Sequence, residues 1–253
     1  MHYFLFLSSL ISVILFTLMG CQKTSVTPQI ESSPIVIPSP TPTVSPASPE
    51  ERKKAAELRQ LGLKYRQQGQ FSEALKTLEE SVNLDPQNLS GLVLLGWTYH
   101  LAKQPEPAIK NLQNALIVDQ NHVPALNALG IVYLVNNNLE QAVKIHNQAI
   151  TLKPDNEIAH YNLSLAYHLL KQYDIAQTHA QKATSLEPYN PHPWVALAII
   201  YEQQGETKLA QEVYNKAISL DGRYRQTNFL DHLTEAGFST EQIQQVKNIL
   251  PRL

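Results

Sequence analysis

One spacing constrains this chain more than any other feature. Tyr65, Tyr99, Tyr133, Tyr167 and Tyr201 lie 34 residues apart, and Leu61, Leu95, Leu129, Leu163 and Leu197 keep the same step. So do Ala74, Ala108, Ala142, Ala176 and Ala210. The residue after each of those leucines is small (Gly62, Gly96, Gly130, Ser164 and Ala198), and a second small position runs Ser81, Ala115, Ala149, Ala183 and Ala217. A fixed period of this length is one supersecondary unit copied in series. A unit that size cannot bury its own apolar face, so the copies must stack on one another.

The residues between these positions say what the unit is. Helix formers dominate, and small residues at two fixed places let two helices approach closely. The tyrosine supplies a large packing body with a hydroxyl that needs a polar partner. Pro86, Pro154 and Pro188 cannot continue a helix and mark the turns between units, with Gln120 and Gly222 in the equivalent places of the other copies. Asn88, Asn156 and Asn190 are expected N-caps of the first helix of each pair, and Pro191 suits a first helical position.

The segments "LGLKY", "LGWTY" and "LGIVY", with "LSLAY" and "LAIIY" as variants, resemble the core of the tetratricopeptide repeat, a pair of antiparallel helices. The resemblance implies an all-α, right-handed superhelical solenoid of about five repeats over residues 51–222, followed by C-terminal capping helices over 223–253. The capping region carries two amphipathic patterns, "QTNFLDHLTEAG" and "STEQIQQVKNIL". Gly237 reads as the stop of the first, and Ser239 with Gln242 as a capping box opening the second. Phe229, Leu230, Leu233 and Phe238 need a surface to cover, which argues against a detached tail.

The N-terminus has a different character. The run Tyr3–Met19 holds no charged residue and stops at Cys21, the chain's only cysteine. That thiol has no internal disulfide partner. Leu18-Met19-Gly20-Cys21 resembles the lipobox of bacterial lipoproteins. The resemblance implies a signal peptide over 1–20, cleavage before Cys21, and lipidation of Cys21. Two acyl chains, at roughly 0.8 kcal/mol per buried CH2, would hold the chain stably. The alternative is an uncleaved signal-anchor. Either way the folded part is expected outside the cytoplasm, in the periplasm, tethered to the inner or the outer membrane. Residues 21–50 carry seven of the 16 prolines among Ser and Thr, which suits an extended spacer reaching at most about 85 Å.

Chemistry is scarce. No phosphate-binding loop, dinucleotide glycine motif or nucleophile elbow occurs, and the chain has only 9 glycines. His160 and His168 are eight residues apart on one expected helix, too far for a shared ion, and no His-x-x-x-His pair of ligand spacing occurs. No metal or other cofactor, no catalytic residue and no small-molecule substrate is expected. A net charge of −2 from 20 basic and 22 acidic residues, evenly spread, gives no nucleic-acid patch.

A repeat solenoid does offer a concave surface built by the first helix of each pair. Registered on the tetratricopeptide repeat from Ala55, Leu89, Val123, Glu157 and Pro191, the groove candidates are Arg59, Val93, Trp97, Asn127, Ile131, Tyr161, Asn162, Leu165, His168, Val195 and Glu202. Val93, Trp97, Ile131 and Leu165 would form an apolar strip, and Asn127 with Asn162 would hold a partner's backbone. The expected function is a non-enzymatic scaffold at a bacterial membrane, binding peptide or helical segments of other proteins. Narrower alternatives are a pilotin-like factor of type IV pili, an outer-membrane assembly lipoprotein, a periplasmic regulator that scaffolds cell-wall enzymes, and an untethered soluble repeat protein.

Overall fold

The computed structural model describes residues 46–250. The apolar run, Cys21 and most of the proline-rich stretch lie outside the described residues. Ten α-helices follow in antiparallel pairs: α1 (Pro49–Gln67) with α2 (Phe71–Leu84), α3 (Leu89–Leu101) with α4 (Pro105–Val118), and α5 (Val123–Val135) with α6 (Leu139–Leu152). The series continues with α7 (Glu157–Leu169) and α8 (Tyr173–Leu186), then α9 (Pro191–Gln203) and α10 (Thr207–Leu220). Each pair packs on the next, giving five stacked repeats; a last helix, α11 (Thr240–Ile249), follows them.

The turn inside each pair repeats with the sequence. Gly69, Lys103, Asn137, Lys171 and Gly205 all adopt positive φ, between 58° and 80°. This left-handed residue ends the first helix, and the N–H after it reaches back to the carbonyl of the repeat tyrosine, as in Gln104 N–H to Tyr99 O at 2.9 Å. First helices open on side-chain caps. Asn88 accepts from the N–H of Gly91, Asn156 from that of Ala159, and Asn190 from that of His192. In the copy without an asparagine, His122 Nδ1 accepts from Ala125 N–H at 3.3 Å. A capping box of Ser48 and Glu51 opens α1.

The small residues work by contact. A Cβ added at Gly62 would lie 2.6 Å from Leu78 Cγ, one at Gly96 2.7 Å from Leu112 Cγ, and one at Gly130 2.5 Å from the His146 ring. Where the first-helix position grows to Ser164, its counterpart on α8 shrinks to Ala180, and both are fully buried. The repeat tyrosines tie each copy to the one before it: Tyr99 O–H donates to Glu79. Side-chain amides of Gln113, Asn147 and Gln181 donate to the hydroxyls of Tyr133, Tyr167 and Tyr201 at 3.1–3.3 Å.

The C-terminal region departs from two α-helices. Two 3-10 turns, Gly222–Arg225 and Phe229–Thr234, precede α11. Three residues per turn stacks Leu230 directly over Leu233, and both are fully buried. Gly237 stops the second turn with φ +87°, and Ser239 forms both bonds of the expected capping box with Gln242.

Candidate functional site

The first helices α1, α3, α5, α7 and α9 line the concave face, and the eleven groove candidates fall on them in two distinct settings. The dividing element is the C-terminal segment. Helix α11 packs against α9 and reaches α7, so it lies on the concave face and not solely on the end of the stack.

In the covered half, Tyr161 O–H donates to Ala236 O at 2.6 Å, and its ring meets Phe238 at 6.3 Å. Gln242 is wholly buried, and its Nε2 donates to Leu165 O and to His168 Nδ1, both at 3.2 Å. Leu165 and Val195 are fully buried, and Asn162 and His168 retain 4% and 3% exposure. Burial pushes the His168 imidazole down to about 4, against a smaller opposing effect of Gln245. Burial likewise holds the Tyr161 hydroxyl protonated, well above the usual phenol range. Ile243, Val246 and Ile249 of α11 complete a continuous apolar core with Leu165, Val195 and Ile199. Sequence reasoning marked this segment as a cap; that it fills the groove of the fourth and fifth repeats carries no periodic signal. Glu202 is half-buried in the last turn of α9.

The other half is open. Trp97, Val123, Asn127, Ile131, Asn156 and Ile158 surround a pocket of about 410 Å³. Trp97 is half-buried, its ring 4.8 Å from His100, and Ile158 is 40% exposed. The ion pair Lys153–Glu157, 3.6 Å, edges the pocket. Ile158, Val123 and Asn156 were not among the sequence candidates, although each lies at the N-terminal end of a first helix: Val123 opens α5, Asn156 caps α7, and Ile158 is the second residue of α7. Val93 is half-buried on α3 and lies outside the pocket lining.

Two side chains expected to meet a partner's backbone are engaged internally. Asn127 and Asn156 exchange amide hydrogen bonds, 2.9 and 3.2 Å, so Asn127 braces the cap of α7. Asn162 Nδ2 donates to Ile158 O at 2.8 Å. Arg59 pairs with Asp85 at 3.8 Å, with both side chains largely buried, and ties the first repeat to the turn before α3. No group of three or more metal-ligating side chains occurs among the described residues.

These features define an α-helical repeat protein whose concave face is part filled by its own C-terminus and part open. The chain belongs to the tetratricopeptide repeat family: profiles described as tetratricopeptide or TPR repeats match residues 65–130, 133–171, 158–190 and 191–224. Among solved structures it is similar to MamA at 26% identity, with a TM-score of 0.58 over 64% of this chain and 95% of that one. It is similar in fold to TTC0263, a thermophilic TPR protein of Thermus thermophilus (24% identity, TM-score 0.56, 67% and 92% covered). MamA 41-end from Desulfovibrio magneticus RS-1 aligns with a TM-score of 0.61 at 23% identity over 66% and 95%. No curated protein sequence matches the chain.

Proposed function

We propose that this chain is a non-enzymatic scaffold that binds a segment of another protein in the open half of its concave groove. Repeats of this family act in general as protein-interaction modules. The observation that carries the reading is the pocket at Trp97, Ile131 and Ile158, an apolar recess on the face the repeats hold rigid. A half-buried tryptophan lining such a recess is the kind of anchor that dominates interface energies. The test is capture of partners from a detergent extract by wild type and by Ile158→Lys. A partner retained by the first and lost by the second, with unchanged melting, supports the groove. Equal capture by both would move binding elsewhere.

We further propose that the scaffold is tethered to a bacterial membrane through Cys21, on the strength of the Leu18–Cys21 pattern at the end of an uncharged run. With Cys21→Ser, the precursor is expected to stay uncut and to take up no labelled fatty acid. Acylation equal to wild type would remove lipidation at Cys21 and leave the uncleaved signal-anchor.

A further inference from the structure

The filled half of the groove shows what the open half is shaped to take. A step of two repeats carries Leu165 onto Trp97 and His168 onto His100, so the same apolar-plus-histidine pair recurs on α3. On α7 that pair meets α11: Gln242 in its first turn donates to His168, and Ile243, Val246 and Ile249 press into the core at three-residue spacing. On α3 Trp97 lines the open pocket, its ring 4.8 Å from that of His100 three residues on, and the His100 ring makes no hydrogen bond among the described residues. The two sites are continuous. The backbone at Gly237 lies against Asn162, Leu165 and Leu134, and Asn162 bonds to Ile158, which walls the pocket.

The engaged amides narrow the choice of ligand. An extended segment brings unpaired N–H and C=O groups that need partners. In the open half the side-chain amides of Asn127 and Asn156 are committed to each other. A helix satisfies its own backbone and asks of the groove only an apolar surface and a few polar contacts.

We infer that the open half takes an amphipathic helix of a partner protein built like the chain's own C-terminal segment. An aliphatic stripe lies over Trp97, Ile131 and Ile158, and a glutamine in the helix's first turn donates to His100. The inference rests on the protein-binding reading of the groove and specifies its ligand.

The probe is a synthetic peptide of residues 236–250, titrated into the detergent-solubilised full chain, whose own segment stays in place. Saturable binding is expected, with a gain of peptide helicity by circular dichroism. Ile158→Lys, at an exposed position that leaves packing intact, should weaken it about tenfold. A peptide carrying Gln242→Leu should bind wild type about fivefold more weakly, and bind a His100→Ala chain no more weakly than the unaltered peptide does. Two results overturn the inference. One is no saturable binding. The other is binding indifferent to Ile158→Lys but raised when Phe238→Ala loosens the chain's own segment, because the peptide is then entering the covered half. If the peptide fails while an extract partner is still captured in an Ile158-dependent way, the scaffold reading stands and only the helical ligand falls.

Discussion

Replacing His146 by leucine should stabilise this protein, and by an amount that grows as the pH falls. His146 is fully buried on α6, and neither ring nitrogen has a partner among the described residues. A neutral imidazole carries one donor and one acceptor. Leaving a buried polar group unpaired costs about 1–3 kcal/mol. The equivalent positions of the first two repeats hold Leu78 and Leu112, each packed against its glycine as His146 is against Gly130, so the site has the shape for leucine. His146→Leu should therefore gain about 2 kcal/mol at pH 7. Burial also pushes the His146 pKa down to about 3. The unfolded chain titrates near 6.5, so below that pH it binds a proton that the native state refuses. Stability is fully present above about pH 6.5 and declines as the pH falls toward 3. At pH 5 the proton adds about 2 kcal/mol to the advantage of leucine. Urea unfolding followed by circular dichroism at pH 7 and pH 5 measures both quantities. His168 and His179, each lowered to about 4 mainly by burial, act in the same direction, so the variant should keep a reduced pH slope. A midpoint unchanged or lowered at pH 7, with the wild-type slope between the two values, would refute the argument.

Gly205→Ala tests the turn: φ is +80° and nothing lies within 4 Å of an added Cβ, so the loss of about 1 kcal/mol expected in thermal melting is purely a backbone effect. Asn156→Ala removes both the cap on Ala159 N–H and the partner of Asn127, and should lower stability by about 2 kcal/mol in urea unfolding. Cutting the chain after Gly222 should lower the melting temperature and solubility, since it bares the apolar groove around Leu165, Val195 and Ile199.

The repeat was legible because its restrictive positions make recurring contacts. Glycine meets leucine in the first two repeats and His146 in the third, tyrosine meets a polar side chain of the preceding second helix in four, and asparagine caps the first helix in three. Period and chemistry therefore point the same way. The candidate site was legible only in part. The register placed Trp97, Asn127 and Ile131 on the concave face, where they border one pocket. It gave no means of seeing that Tyr161, Leu165, His168 and Val195 are occupied, because the segment on them lies outside the repeats and obeys no period. Nor did it show that Asn127 is spent on Asn156, a pairing across 29 residues between two copies.

The position of the C-terminal segment follows from an asymmetry between the two ends of the stack. At the N-terminal end of the described residues, α1 buries only Ala55 and Gly62, and its outward surface is charged. Leu61 there is 40% exposed, while Leu95, Leu129, Leu163 and Leu197 are buried. The other end has no such polar helix. Eight residues of α9 are buried, from Pro193 to Tyr201, which is more than α10 alone can cover. The 3-10 turns therefore close the end, with Leu230 and Leu233 in the core, and the chain still has an amphipathic helix to place. The nearest apolar surface is the groove beside α9, so capping the stack and filling half of the groove are one packing event. The open half is what remains where α11 ends its reach, and that is why its ligand should resemble the helix that stopped short of it.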